Sequence, residues 1–141
     1  MYYEERGLDK YVRAQERDYF DALREIKSGR KRSHWIWYIF PQIQGLGYSS
    51  TAQYYAIEDL EEAKAYLADP VLRERLLEIS NALLALDSCD PTDVMGYPDD
   101  LKLRSSMTLF SLADPECTVF RDVLEKYYDG REDPRTIALC L

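Results

Sequence analysis

Ser33-His34-Trp35-Ile36-Trp37-Tyr38-Ile39-Phe40-Pro41-Gln42 is the stretch on which the fold reading turns. It opens a segment, residues 33–57, without a single Asp, Glu, Lys or Arg in a chain that is 31% charged. The same segment holds seven of the 18 aromatic residues, both tryptophans and the only histidine. A segment that excludes charge and collects rings is built to leave water. Its six successive apolar residues, Trp35 to Phe40, admit either a buried strand or a short buried helix, and periodicity does not separate the two. Pro41 ends the run in both cases. As a strand, Trp35, Trp37 and Ile39 would share one face, with Ile36, Tyr38 and Phe40 on the other.

On either side of this segment the pattern is helical. Residues 1–10 are polar and mixed in charge, and are expected to form a loosely ordered arm. From about Val12 to Ser28, Tyr19, Phe20, Leu23 and Ile26 fall on one side of a helix, with Asp18, Asp21, Arg24 and Glu25 on the other. Ser28-Gly29 is a helix stop. After the Gly45-Leu46-Gly47 loop, Ser49-Ser50-Thr51 offers one N-cap and Asp59-Leu60-Glu61-Glu62 a second, capping-box start. The pattern leaves open which of them opens the next helix.

Four Asp-Pro pairs punctuate the remainder, at residues 69–70, 90–91, 114–115 and 133–134. Asp favours the N-cap and Pro the first helical position, so each pair reads as a helix start. Pro98-Asp99-Asp100 opens one more helix, with Leu103, Met107 and Phe110 on one face. The expected architecture is mainly α, a compact single-domain bundle of about six helices spanning residues 1–141. A small β element near Trp35–Phe40 remains open.

With 141 residues the chain can bury a core without staples. Cys89, Cys117 and Cys140 are odd in number and widely spaced, which argues against a disulfide framework and a zinc site; no metal and no cofactor is expected. The net charge of −8 argues against non-specific nucleic-acid and membrane binding. No apolar run approaches the length of a membrane span, and the first residues lack a signal-peptide layout, so the expectation is a cytoplasmic protein. The charge is uneven: residues 1–48 carry nine basic and seven acidic side chains, and residues 49–141 carry nine and 19. Arg24, Lys27, Arg30, Lys31 and Arg32 form the basic concentration, ending directly at Ser33.

The candidate chemistry gathers in two places. His34 is the chain's one side chain that ordinarily titrates near neutrality. Trp35, Trp37 and Tyr38 could stack a flat ring, although such rings are more often core. Gln42, Ser49 and Tyr55 add polar and aromatic wall, and Arg30 and Lys31 could meet a phosphate. Asp99-Asp100, Lys102, Arg104, Ser105, Ser106 and Thr108 are the densest polar constellation. Asp100 is the candidate acid or base there, and Lys102, Ser105 and Ser106, spaced i, i+3 and i+4, could hold a phosphate. The alternatives are an Asp100–Arg104 pair and hydroxyls bonded back to their own helix.

Two blocks, Gly29 to Gln42 and Asp99 to Phe110, resemble the signature of a bacterial family catalogued as domain of unknown function 1810, sometimes labelled "calpastatin". The likeness runs from about Tyr19 to the Thr136-Ile137 tail. It implies a small, mainly helical, soluble bacterial protein; the label implies a protease inhibitor, but no inhibitory repeat is visible. A fainter resemblance links Ala52-Gln53-Tyr54-Tyr55-Ala56-Ile57 to the Glu-His-Tyr-Tyr-Gln-Ala block of the NADAR family. That resemblance implies N-glycosidase action on ADP-ribose-type or riboflavin-precursor substrates, with Ala52 standing where the family has its catalytic Glu. The resulting expectation is a pocket that binds, and hydrolyses, a nucleotide- or NAD-derived small molecule. Its catalytic residues would be His34 and Asp100. Its ligand contacts would be Arg30, Lys31, Trp35, Trp37, Gln42, Ser49, Tyr55, Lys102, Ser105, Ser106 and Thr108. The alternative is a non-catalytic interaction module that uses the uncharged aromatic stretch as a groove.

Overall fold

The ring-rich run resolves as a helix: Ile36–Ile39 forms one short turn (α2), closed by the hydrogen bond from Phe40 N to Ile36 O, so the strand reading is set aside. The structure is a computed structural model and describes residues 7–141. Among the described residues there are nine helices, and the β structure is a single parallel bridge between Ile43 and Ile57. Six helices have seven or more residues: α1 (Asp9–Lys27), α4 (Leu60–Ala68), α5 (Pro70–Ala85), α7 (Asp99–Ala113), α8 (Val119–Tyr128) and α9 (Pro134–Cys140). Alongside α2, the short ones are α3 (Ser50–Tyr54) and α6 (Pro91–Met95).

Helix α1 begins at Asp9, earlier than its apolar pattern suggests, so Asp9 and Lys10 of the expected arm are helical. Gly7 and Leu8 of that arm form a turn, and its residues 1–6 lie outside the described residues. Gly29, at φ +93°, closes α1 by donating to Ile26 O while Arg30 N donates to Glu25 O, the paired bonds of a Schellman stop. Both proposed starts near residues 49–59 are used. Ser49 caps α3 by accepting from Ala52 N, and Asp59 caps α4 by accepting from Glu62 N. Asp69, Asp90 and Asp133 each accept from backbone N–H groups of the helix that follows. The fourth pair departs from the pattern. Asp114 is the residue at which α7 ends; Pro115 and Glu116 form a turn, and α8 starts only at Val119. There the Asp114 carboxylate pairs with Arg73 instead of capping a helix.

Helix α7 is the central element, packed against α4, α6, α8, α9 and the α2 turn. Being enclosed on most sides, it buries hydroxyls together with hydrocarbon, and three of its four buried hydroxyls bond back to their own helix. Ser105 Oγ reaches Leu101 O, Thr108 Oγ1 reaches Arg104 O, and Ser111 Oγ reaches Thr108 O. A chain of rings crosses the core, Tyr11 on α1 to Tyr66 on α4, then Phe110 on α7 and Phe120 on α8, with centroids 5.3, 5.1 and 5.8 Å apart. These aromatic side chains are essentially inaccessible to water, and burying each is worth roughly 2–3 kcal/mol. The second layer is α1 on α5, with α1 also covering α2. Gln15 of α1 donates to Tyr38 O and Tyr66 Oη, and Tyr11 Oη donates to Tyr55 O, fastening the ring-rich segment to the bundle. Among the described residues no helix is long and apolar enough to cross a membrane.

Candidate functional site

Glu25 organises the approach to the site. The helical pattern puts it on the polar side of α1, yet the side chain is 9% exposed and faces the chain that follows the helix. Its carboxylate accepts from Arg32 N at 2.7 Å, Ser33 N at 2.9 Å, Ser33 Oγ at 2.6 Å and the Trp35 indole N–H at 2.9 Å. A negative charge in the last turn of a helix is disfavoured by the dipole by roughly 0.3–1 kcal/mol. Burial also acts to raise the pKa. Four donors outweigh both effects, and the carboxyl titrates at about 2. Trp35 is thereby a core residue, 1% exposed.

Lys31 locks the other side of the same turn. Its ammonium lies 2.7 Å from Asp99 Oδ2 and 4.8 Å from the centre of the Trp35 ring, and its side chain is 6% exposed. The basic cluster therefore divides: Lys31 is spent on a buried ion pair with the start of α7, while Arg30 and Arg32 remain on the surface. Lys102 reaches the second oxygen of the same carboxylate at 3.2 Å and holds its ammonium 4.4 Å over the Trp37 ring.

Trp37 and Lys102 stand between two clefts. The first, about 520 Å3, is lined by Arg17, His34, Ile36, Trp37, Tyr38, Ser49, Thr51, Tyr55, Asp99 and Lys102. The Ile43–Ile57 bridge closes the loop that carries Ser49, Thr51 and Tyr55 to this wall. Opposite stands a triad in which Tyr38 Oη donates to the Asp18 carboxylate and Arg17 lies 3.0 Å from the same oxygen. Burial and the Asp18 charge push the Tyr38 phenol up to about 12. Burial acts against ionisation of Asp18, but hydrogen bonds from Arg17 and Tyr38 prevail and hold its carboxyl below the usual range. The second cleft, about 340 Å3, is lined by Trp37, Gln42, Leu46, Pro98, Leu101, Lys102, Arg104, Ser105, Asp133 and Arg135. There Asp133, despite burial, is kept below the ordinary carboxylate range by hydrogen bonds from Thr136, Ser105 and Arg135 N and by the Arg104 charge.

The residues singled out in the sequence thus separate. His34, Trp37, Ser49, Tyr55 and Lys102 meet at the first cleft, and Gln42 and Ser105 join Trp37 and Lys102 at the second. Arg30, Lys31, Trp35, Asp100, Ser106 and Thr108 line neither. Asp100 turns away from the clefts to accept from Thr92 Oγ1 at 2.6 Å and from Leu101 N, and its neighbour Asp99 is the carboxylate that the first cleft contains. Arg104 donates to Arg131 O and Glu132 O, so the i, i+4 pair with Asp100 is not made. Ser106 and Thr108 point into the core, where Thr108 accepts from Asp133 N and the fully buried Ser106 hydroxyl has no partner. The i, i+3, i+4 spacing therefore does not build a three-residue phosphate floor; Lys102 and Ser105 alone reach the clefts. Sequence reasoning missed Arg17, Asp18 and Asp133, which come from elements distant in the chain. Arg17 and Asp18 show in the sequence only as charged residues in the middle of an amphipathic helix, and Asp133 only as the N-cap of an Asp-Pro helix start. Among the described residues, no group of three or more His, Cys, Asp or Glu is placed to hold a metal ion.

The family described as "Protein of unknown function (DUF1810)" matches residues 5–140. The fold is similar to the crystal structure of the conserved hypothetical protein Rv1873 from Mycobacterium tuberculosis, with a TM-score of 0.92 and 45% sequence identity. That match covers 94% of this chain and 95% of the other. No curated protein matches the chain. With the match running over nearly the whole length, the chain belongs to the DUF1810 family, whose function is unknown.

Proposed function

We propose that the first cleft binds a phosphorylated, ring-bearing small molecule of the nucleotide or NAD-derived kind and hydrolyses its N-glycosidic bond. The observation that carries the reading is the Lys102 ammonium 4.4 Å over Trp37, on a wall shared with Asp99 and Tyr55. Rings offer a base a stacking surface worth about 1–3 kcal/mol, and Lys102 and Arg17 offer a phosphate two cations. In the hydrolysis, a water attacks the anomeric carbon, the carbon–nitrogen bond breaks, and the base leaves with a proton. Asp99 is suited to take the proton from the attacking water, and His34, on the rim of the same cleft, to supply one to the leaving nitrogen. The N-glycosidic step also draws on the NADAR resemblance; with Ala52 at that family's Glu position, Asp99 has to serve as the carboxylate. The groove alternative is less favoured, because Trp35, Ile36, Tyr38, Ile39, Phe40, Ile43 and Ile57 are all buried and leave little of the stretch for a partner.

The test is a melting screen with AMP, ADP-ribose, NAD and FMN, followed, for the three that carry an N-glycosidic bond, by chromatography of the released base. Near 100 times Kd a ligand should raise Tm by on the order of 5–10 °C. Lys102→Ala should lose that rise, and Asp99→Asn should bind yet release no base. If none of the four probes moves Tm, the cleft is not a nucleotide site.

A further inference from the structure

The two clefts share a wall. Trp37 and Lys102 line both, so the two clefts adjoin at this partition. The shared wall is held in place: a Cβ on Gly47 would lie 2.9 Å from the Trp37 ring edge, while Lys102 sits over its face. The charge of the pair of clefts is opposite to that of the chain. Four cations, Arg17, Lys102, Arg104 and Arg135, face three carboxylates, Asp99, Asp133 and the Asp18 that pairs with Arg17, in a protein of net charge −8. The second cleft differs in character from the first, with Leu46, Pro98 and Leu101 offering an apolar wall to a second ring. Beside that wall the Ser105 hydroxyl donates to Asp133 at 2.7 Å, and the carboxylate offers an acceptor to sugar hydroxyls.

We infer that the two clefts form one bipartite site for a dinucleotide-type ligand, two ring-bearing halves joined by a diphosphate that passes Lys102. This rests on the reading of the first cleft as a nucleotide site and adds the substrate class. One nucleoside half occupies each cleft; Lys102 neutralises the bridge, and Arg135 the charge on the side of the second cleft. Cations on both sides of the partition favour a ligand whose negative charge lies at its middle over one charged only at an end.

Calorimetric titration of the intact protein with AMP and with NAD decides the matter. NAD should bind at least about ten-fold more tightly than AMP. Arg135→Ala and Leu101→Glu, both on exposed residues of the second cleft, should each abolish that advantage while leaving AMP affinity and the Tm of the free protein unchanged. Equal affinity for the two probes, or an NAD advantage that survives both substitutions, would overturn the bipartite site and leave the single-cleft reading standing. Failure of AMP and NAD alike to bind would overturn the nucleotide reading and this inference with it.

Discussion

Replacing Glu25 by Gln removes the charge at the point where α1 hands the chain to the ring-rich segment, and it keeps the side chain's shape. The cost can be approached in two ways. The fall of the carboxyl from its ordinary 4.5 to about 2 corresponds, at about 1.4 kcal/mol for each pH unit, to about 3 kcal/mol of stability at neutral pH. Independently, four hydrogen bonds to a charged acceptor are lost or weakened. At about 1.5–3 kcal/mol apiece and far from additive, they set a ceiling above that value. An expected loss of about 3 kcal/mol follows, a large share of the roughly 5–15 kcal/mol by which domains are stable. Because the folded pKa is depressed, the contribution is complete above the unfolded value and disappears as pH falls from about 4.5 towards 2. Urea unfolding of both proteins at pH 7, 4 and 2.5 should show a gap of about 3 kcal/mol closing on acidification. A gap under 1 kcal/mol at pH 7, or one indifferent to pH, would refute the account of Glu25 as an ionised hub.

Three further outcomes are expected. Ser106→Ala removes a buried hydroxyl that has no partner, so stability should stay level or rise by up to about 1 kcal/mol in urea melts, with ligand response intact. Gly47→Ala would put a Cβ 2.6 Å from Ala52 Cβ and 2.9 Å from Trp37. It should cost about 1–3 kcal/mol and shift the tryptophan emission as the ring is displaced. Asp69→Ala should cost about 1 kcal/mol by uncapping α5, whereas Asp114→Ala, which removes a partly exposed ion pair and no cap, should cost less; thermal melts of the two variants rank them.

Helix boundaries were legible because the groups that make them lie within a few residues of one another. Asp69 reaches Val71 N and Leu72 N, Asp59 reaches Glu62 N, and Gly29 supplies the left-handed turn after α1. None of these needs a distant partner. The mainly helical class, the capping residues Ser49 and Asp59 (though as alternative starts of one helix, where the structure uses both), and the meeting of the ring-rich segment with the Asp99 helix could be read or anticipated from the chain. The Asp114-Pro115 pair could not, since its carboxylate has a remote alternative in Arg73.

The choice between neighbours belonged to tertiary structure. Trp35 or Trp37, Asp99 or Asp100, Ser105 or Ser106: each pair has similar chemistry, the last two at adjacent positions about 100° apart on a helix and the tryptophans two positions apart. Which member meets the cleft depends on how each helix is rotated against the others. That rotation is set by burial of Phe110, Tyr66 and Phe120 where α7 meets α4 and α8 and by the Glu25 contacts at the end of α1. The local pattern thus determined where the helices begin and end and that rings would gather beside α7. Only the packed structure decided which side chains were left facing the clefts, because core burial outweighs the small local preference of any one residue for either face.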